Sequence, residues 1–449
     1  MLGMAQHDSS LKGRIVRNAS WVGVSYGSEM LLRFGSSLIV TRLLEPNVFG
    51  LIATVSIFLT IVIMLSDLGI RPIVLTHKRG DDPDFLSSVW VLQIFRGIIL
   101  TLLLVAMGLA WHIAQQRGWI AVGSSYADPL LPGLLAFVGL CLLFGGFSSI
   151  NEFRLARQLE QGAITRIEIV SKTATTIANI VLAFFLRSAW ALAIPMVLGA
   201  IIRSALSMRL PGPEMRFRVN WADLKEILGH SRWIAVTSLL TVITLSADKL
   251  IIGYVFGLTA LGIYSIAFAL FDAVQNLPLK FNSAVSISVL KALENHDREV
   301  FRTQYYRFRL PIDLYSIVFG LGFAVFGQLM ITLMYDPRYV SGGHYLQIFG
   351  IALLLLPFSV TANILIAAQR FKYTFFVTLL KGVSFFAGLA VCAYFRSLTG
   401  VVFVVGLQRL PEILVYLLAP GSGIPFSLKR DGVLLGLAAL VTFGLALRW

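Results

Sequence analysis

A dozen apolar runs of about 18 or more residues, joined by short links, recur between residues 19 and 420. Each is long enough to cross a hydrocarbon core of about 30 Å as a helix, which takes roughly 20 residues. Inside lipid the backbone must satisfy its own hydrogen bonds, and a helix does so within one segment. The runs fall near 19–41, 48–66, 86–110, 129–150, 167–186 and 189–208, then 232–256, 260–290, 310–334, 345–368, 373–395 and 399–420. Only 13% of the 449 residues are charged and 57% are hydrophobic. A soluble chain carries about 25% charged residues, and a disordered one has low hydrophobicity. The expected fold class is therefore all-α, a polytopic membrane protein with the bilayer as its main solvent.

The formal net charge of +14 does not point to nucleic acid, because the basic residues form short clusters between apolar runs instead of one basic face. Alternate links are strongly unequal. With a cytoplasmic N-terminus, inside segments hold 23 basic residues, among them Arg14, Arg79, Arg154, Arg218 and Arg309. Outside segments hold six: Arg42, Arg117, Arg187, Arg338, Arg396 and Arg448. Positive charge stays on the cytoplasmic side, so this split sets the orientation. Trp21, Trp90, Trp111, Trp190 and Trp233 fall at span ends, as an interfacial aromatic belt requires. The first eighteen residues lack an apolar core of signal-peptide length.

The link at 209–231 divides the spans six and six. The expected organisation is an N-terminal lobe at 1–208, a basic cytoplasmic linker at 209–231 and a C-terminal lobe at 232–420. A tail at 421–449 follows, with a short apolar stretch at 433–447 that reads as a short thirteenth span or as a helix lying in the interface. Shifting by 212 residues lays 18–51 on 230–263 without gaps and matches Trp21 with Trp233, Leu38 with Leu250 and Gly50 with Gly262. Six helices return the chain to its starting side, so the lobes are expected as parallel repeats about a pseudo-two-fold axis along the membrane normal.

A charge at the bilayer centre costs about 2.5–3.5 kcal/mol on insertion scales, so it needs a partner or a wet cavity. Candidates for a hydrated cavity between the lobes are Glu29, Arg33, Arg96, Lys172, Thr241, Asp248, Asp272, Asn276, Lys280 and Lys381. In the first span Ser25, Glu29, Arg33 and Ser36 share a face; in the eighth Asp272, Asn276 and Lys280 do. Glu29 and Arg33, four residues apart, can also pair on their own helix. Arg409 and Glu412 are expected as a structural pair, whereas adjacent Asp248 and Lys249 are expected to point apart. The cations suit an anionic ligand, and Ser, Thr, Asn and Gln suit sugar hydroxyls.

No stretch fits the phosphate loop GxxxxGK[ST], and neither HExxH nor CxxC occurs. The six histidines are dispersed, and Cys141 and Cys392 lie within apolar runs as packing residues. The outer links are too short for a catalytic domain. A non-enzyme without metal or cofactor is expected.

The segment TRLLEPNVFGLIATVSIF, followed by SDLGIRPIVL, and its counterpart DKLIIGYVFGLTALGIYSIA resemble Wzx-type oligosaccharide flippases of the multidrug/oligosaccharidyl-lipid/polysaccharide exporter superfamily. That resemblance implies a bacterial inner-membrane protein that moves polyprenyl-diphosphate-linked oligosaccharides by alternating access. It serves exported lipopolysaccharide, capsule or exopolysaccharide, with a polysaccharide polymerase and export machinery as implied partners. Arg33 and Lys280 would then meet the diphosphate, balanced by Glu29, Asp248 and Asp272. Two other readings stay open: an ion-coupled drug exporter of the same superfamily, and a membrane-embedded polysaccharide polymerase or ligase. The latter expects a substantial outer loop with clustered Arg and His.

Overall fold

The computed structural model describes residues 2–66, 69–121, 123–221, 223–225, 227, 246–293, 298–360, 371–418, 427 and 429–447. Side chains are described from residue 17 onward, apart from those of 19, 76, 281–293, 298, 371–374 and 415–418. Helix is the only extended secondary structure among these residues. The chain folds as two compact units, Met1–Ser246 and Ala247–Trp449.

The first unit contains α1 (Leu2–Leu43), α2 (Pro46–Leu65), α3 (Ile70–Thr76), α4 (Pro83–Gln116), α5 (Leu131–Val138), α6 (Leu140–Gly146), α7 (Asn151–Arg157), α8 (Gln161–Leu186) and α9 (Trp190–Ser207). Proline opens α2 and α4 at a position where its missing N–H costs nothing. Asp82 caps α4 by accepting from the Asp84 amide. Through its 34 residues α4 runs about 51 Å at 1.5 Å per residue, well beyond the lipid core.

Among the described residues seven helices are long and apolar enough to cross a membrane, and a bent pair adds an eighth. That pair, Leu131–Gly146 and Asn151–Arg157, turns through 59° at 147–150, the end of the span expected at 129–150. A break exposes backbone carbonyls that lipid cannot satisfy. Gln93 Nε2 covers those of Gly145, Gly146 and Ser148 at 3.3, 3.1 and 3.0 Å, and Trp90 Nε1 covers Phe147 at 3.3 Å. Trp90, expected at the headgroups, is buried to 6% for this reason. Close approach makes the bond set reachable: a methyl on Gly97 would meet the Leu142 carbonyl oxygen at 2.6 Å.

Part of the segment expected as a solvated link packs onto this unit. Asp223 pairs with Arg79 at 2.7 Å, Arg218 with Asp84 at 3.1 Å, and Ser88 Oγ accepts from the Asn220 amide at 3.1 Å. Ile227 is buried among Val74, Phe85 and Trp90.

The second unit has a helical stretch at 247–255, then α10 (Gly257–Leu293), α11 (Arg298–Met334), α12 (Gly342–Leu354), α13 (Phe371–Tyr394), α14 (Leu398–Gly406), α15 (Leu410–Leu418) and α16 (Arg430–Ala446). Its pillar is α12, buried over most of its length and packed against α11, α10, α14 and α16. The run expected as one span at 399–420 divides into α14 and α15 just ahead of Pro411, which has no N–H to continue the helix from Leu407. The tail stretch expected at 433–447 forms α16, 17 residues long. Most of the run expected at 232–256, with Trp233, lies outside the described residues.

Candidate functional site

In the first unit α1 packs along α8, and the polar faces of the two helices meet. Ser25 Oγ donates to Glu168 Oε2 at 2.6 Å, and one turn further Glu29 pairs with Lys172. Helical spacing alone offers Arg33 as the partner of Glu29. The structure instead supplies a cation from a helix 143 residues away, because apolar packing of α1 on α8 brings the two stripes into register. Arg33 is exposed one turn beyond Glu29. At the other end Arg203 on α9 reaches both Glu168, at 3.8 Å, and Glu152 on α7, at 2.9 Å. The face is thus a ladder of alternating charge inside apolar helices, with Glu29 and Lys172 half-exposed.

Arg96 lies elsewhere in this unit. Its Nη2 donates to the Ile63 carbonyl at 2.9 Å and its Nε to Ser66 Oγ at 3.2 Å, which ties α4 to the end of α2.

In the second unit Asp248 is buried, and the Tyr264 hydroxyl donates to its Oδ2. Lys249 Nζ lies 3.5 Å from that carboxylate and 3.8 Å from the centre of the Phe268 ring. The expectation that these neighbours point apart fails, since the flexible lysine stem curls back onto the preceding residue. Lys381 on α13 sits 3.9 Å from Glu412 on α15, so Glu412 has a cross-helix cation. Asp272 and Asn276 on α10 are half-buried and Lys280 is exposed. Thr241 lies outside the described residues.

One cluster escapes helical-stripe reasoning. Arg309, buried to 1%, donates to Asp313 at 2.8 Å and to the Tyr305 hydroxyl at 3.0 Å, and pairs with Asp431 of α16. Tyr306 also donates to Asp431, and the Ser427 amide does so at 2.8 Å. The i, i+4 spacing of Arg309 and Asp313 was the available signal; Asp431, 122 residues away, gave none.

Residues 39–342 match the family model described as "Polysaccharide biosynthesis protein". The lipopolysaccharide biosynthesis protein WzxC of Escherichia coli (strain K12) is 21% identical over 386 residues, 83% of this chain and 74% of that protein. An uncharacterized membrane protein in the cps region of Klebsiella pneumoniae is 21% identical over 349 residues, 76% of this chain and 69% of the relative. Among solved structures, the inward-closed lipid II flippase MurJ is similar, with a TM-score of 0.66 at 14% identity, covering 96% of this chain and 92% of that one. An inward-facing multidrug resistance transporter of the MATE family, in the MOP superfamily, follows the same fold. Its TM-score is 0.62 at 14% identity, covering 88% of this chain and 94% of that one.

Proposed function

The chain belongs to the polysaccharide biosynthesis protein family, and from that premise we propose that it flips polyprenyl-diphosphate-linked oligosaccharides across a bacterial inner membrane. The observation that carries this reading is the charged ladder of α1 and α8, set in helices that are otherwise apolar. Half-exposed ion pairs and hydroxyls at that depth need a hydrated surface, and they suit a ligand that is both anionic and hydroxylated. The diphosphate meets Lys172 and Arg33, with Glu29 offsetting their charge. Arg96 supports the end of α2. The basic links lie on the cytoplasmic side with the N-terminus, and the product passes to a polysaccharide polymerase and export machinery.

The transport step breaks no covalent bond. Binding favours one opening of the site, and release on the far side favours the other. The test is a proteoliposome assay with a fluorescent polyprenyl-diphosphate oligosaccharide, in which inner-leaflet label becomes accessible to an external quencher. Protein-dependent exposure of the label is expected. Sugar transfer by the purified chain alone, without label movement, would refute the reading.

A further inference from the structure

Beside the Arg203 end of the charged ladder, the first unit contains a cavity of about 350 Å³ bordered by α2, α4, α6, α7 and α9. That size is at the small end of ligand sites. Its walls are of two kinds. Ile63, Leu100, Leu142 and Phe153 form an apolar side, while Arg96, Arg203 and Glu152 supply charge. Two guanidinium groups against one carboxylate leave the lining cationic.

Glu152 adds a specific demand. The residue is 8% exposed, and its Oε2 holds Arg203, yet its Oε1 is buried without a hydrogen-bond donor. A buried acceptor left in that state is costly, and an incoming O–H relieves it. Gly145 borders the cavity, and a methyl group at its Cβ position would meet only open space.

We propose that this cavity binds a phosphate ester bearing both a hydroxylated substituent and a hydrocarbon chain. The phosphate lies on Arg96 and Arg203, the hydroxyl donates to Glu152 Oε1, and the first methylenes of the chain lie against the apolar wall. Two membrane components carry that chemistry, a glycerol-headed phospholipid and a glycosylated polyprenyl phosphate. The cavity shares Arg203 with the charged ladder, but its occupancy does not rest on the flippase reading.

The test is native mass spectrometry of the purified full chain, offered phosphatidylglycerol, phosphatidylcholine or polyprenyl-phosphate glucose in turn. The wild-type protein should retain one equivalent of phosphatidylglycerol or of polyprenyl-phosphate glucose at least ten-fold more than phosphatidylcholine, which lacks the headgroup hydroxyl. Gly145→Leu, which fills the cavity, and Arg96→Gln, which removes a guanidinium, should each cut that retention about ten-fold in protein that elutes as a single folded species. Phosphatidylglycerol retained and lost in the variants supports a bilayer lipid as occupant; retention of the glycosylated polyprenyl phosphate alone supports a substrate-like occupant. Equal retention of all three compounds by the wild type, or wild-type retention in either folded variant, overturns the site.

Discussion

Ion pairs occur inside both units, in opposite surroundings. Glu29 and Lys172 keep 36% and 40% of their side-chain surface exposed, whereas Arg309 and Asp431 keep 1% each. An exposed pair contributes about 0–1 kcal/mol to stability, so packing does not account for the presence of Glu29 and Lys172 within apolar helices. The buried set is different. Its members saturate one another with hydrogen bonds and fasten α16 to α11. Charge within a span therefore does not mark a ligand site by itself.

The sharpest way to break this contrast is Arg309→Met, which leaves the carboxylates of Asp313 and Asp431 buried without their cation. Removing one partner of such a set costs about 3–5 kcal/mol, and the folded protein recovered from membranes should fall severely. Adding Asp431→Asn should restore part of the loss, because one buried charge is then gone. A single variant of normal abundance would put Arg309 in the same class as Lys172.

Next in size is Gln93→Leu. It leaves the carbonyls of Gly145, Gly146 and Ser148 without their shared donor and should destabilise the first unit by about 1–3 kcal/mol. A thermal unfolding midpoint equal to wild type would show that the bent span holds without this amide. Smaller still is the stability effect of Glu29→Ala, expected below about 1 kcal/mol because the pair is half-exposed.

The smallest effect concerns Asp82, outside the spans. Its side-chain hydrogen bond to Arg79 holds the carboxyl below the usual carboxylate range. A depressed folded value means that the ionised group stabilises the fold above the ordinary carboxylate range, and that this contribution is lost as pH falls through the folded value. Asp82→Asn retains a good helix cap but removes the charge. Its midpoint should lie slightly below wild type at neutral pH, with the gap closing on acidification; a gap constant with pH would contradict the assignment.

The apolar runs made the helical membrane class legible, because length and hydropathy are local properties. What helical spacing cannot supply is which faces meet. It placed Glu29 on a polar stripe but offered Arg33 as its neighbour, while the structure brings in Lys172 from α8. Arg309 and Asp431 are 122 residues apart, and their pairing depends on how α16 docks. The break after Gly146 falls at Ser148 and Ser149, where the apolar run ends, and the donor that serves it is Gln93 on another helix. Asp248 and Lys249 show a further limit: backbone direction does not fix where a four-carbon side chain ends.

On the proposed function, the α1–α8 face meets the transported lipid-linked sugar. Its most direct measurement is the initial flipping rate of a polyprenyl-diphosphate oligosaccharide in proteoliposomes, comparing wild type with Lys172→Ala at matched amounts of folded protein. Loss of a charge-assisted contact, worth about 1.5–3 kcal/mol, should slow transport by roughly ten-fold or more while the unfolding midpoint barely moves. An unchanged rate with an unchanged midpoint would contradict the claim.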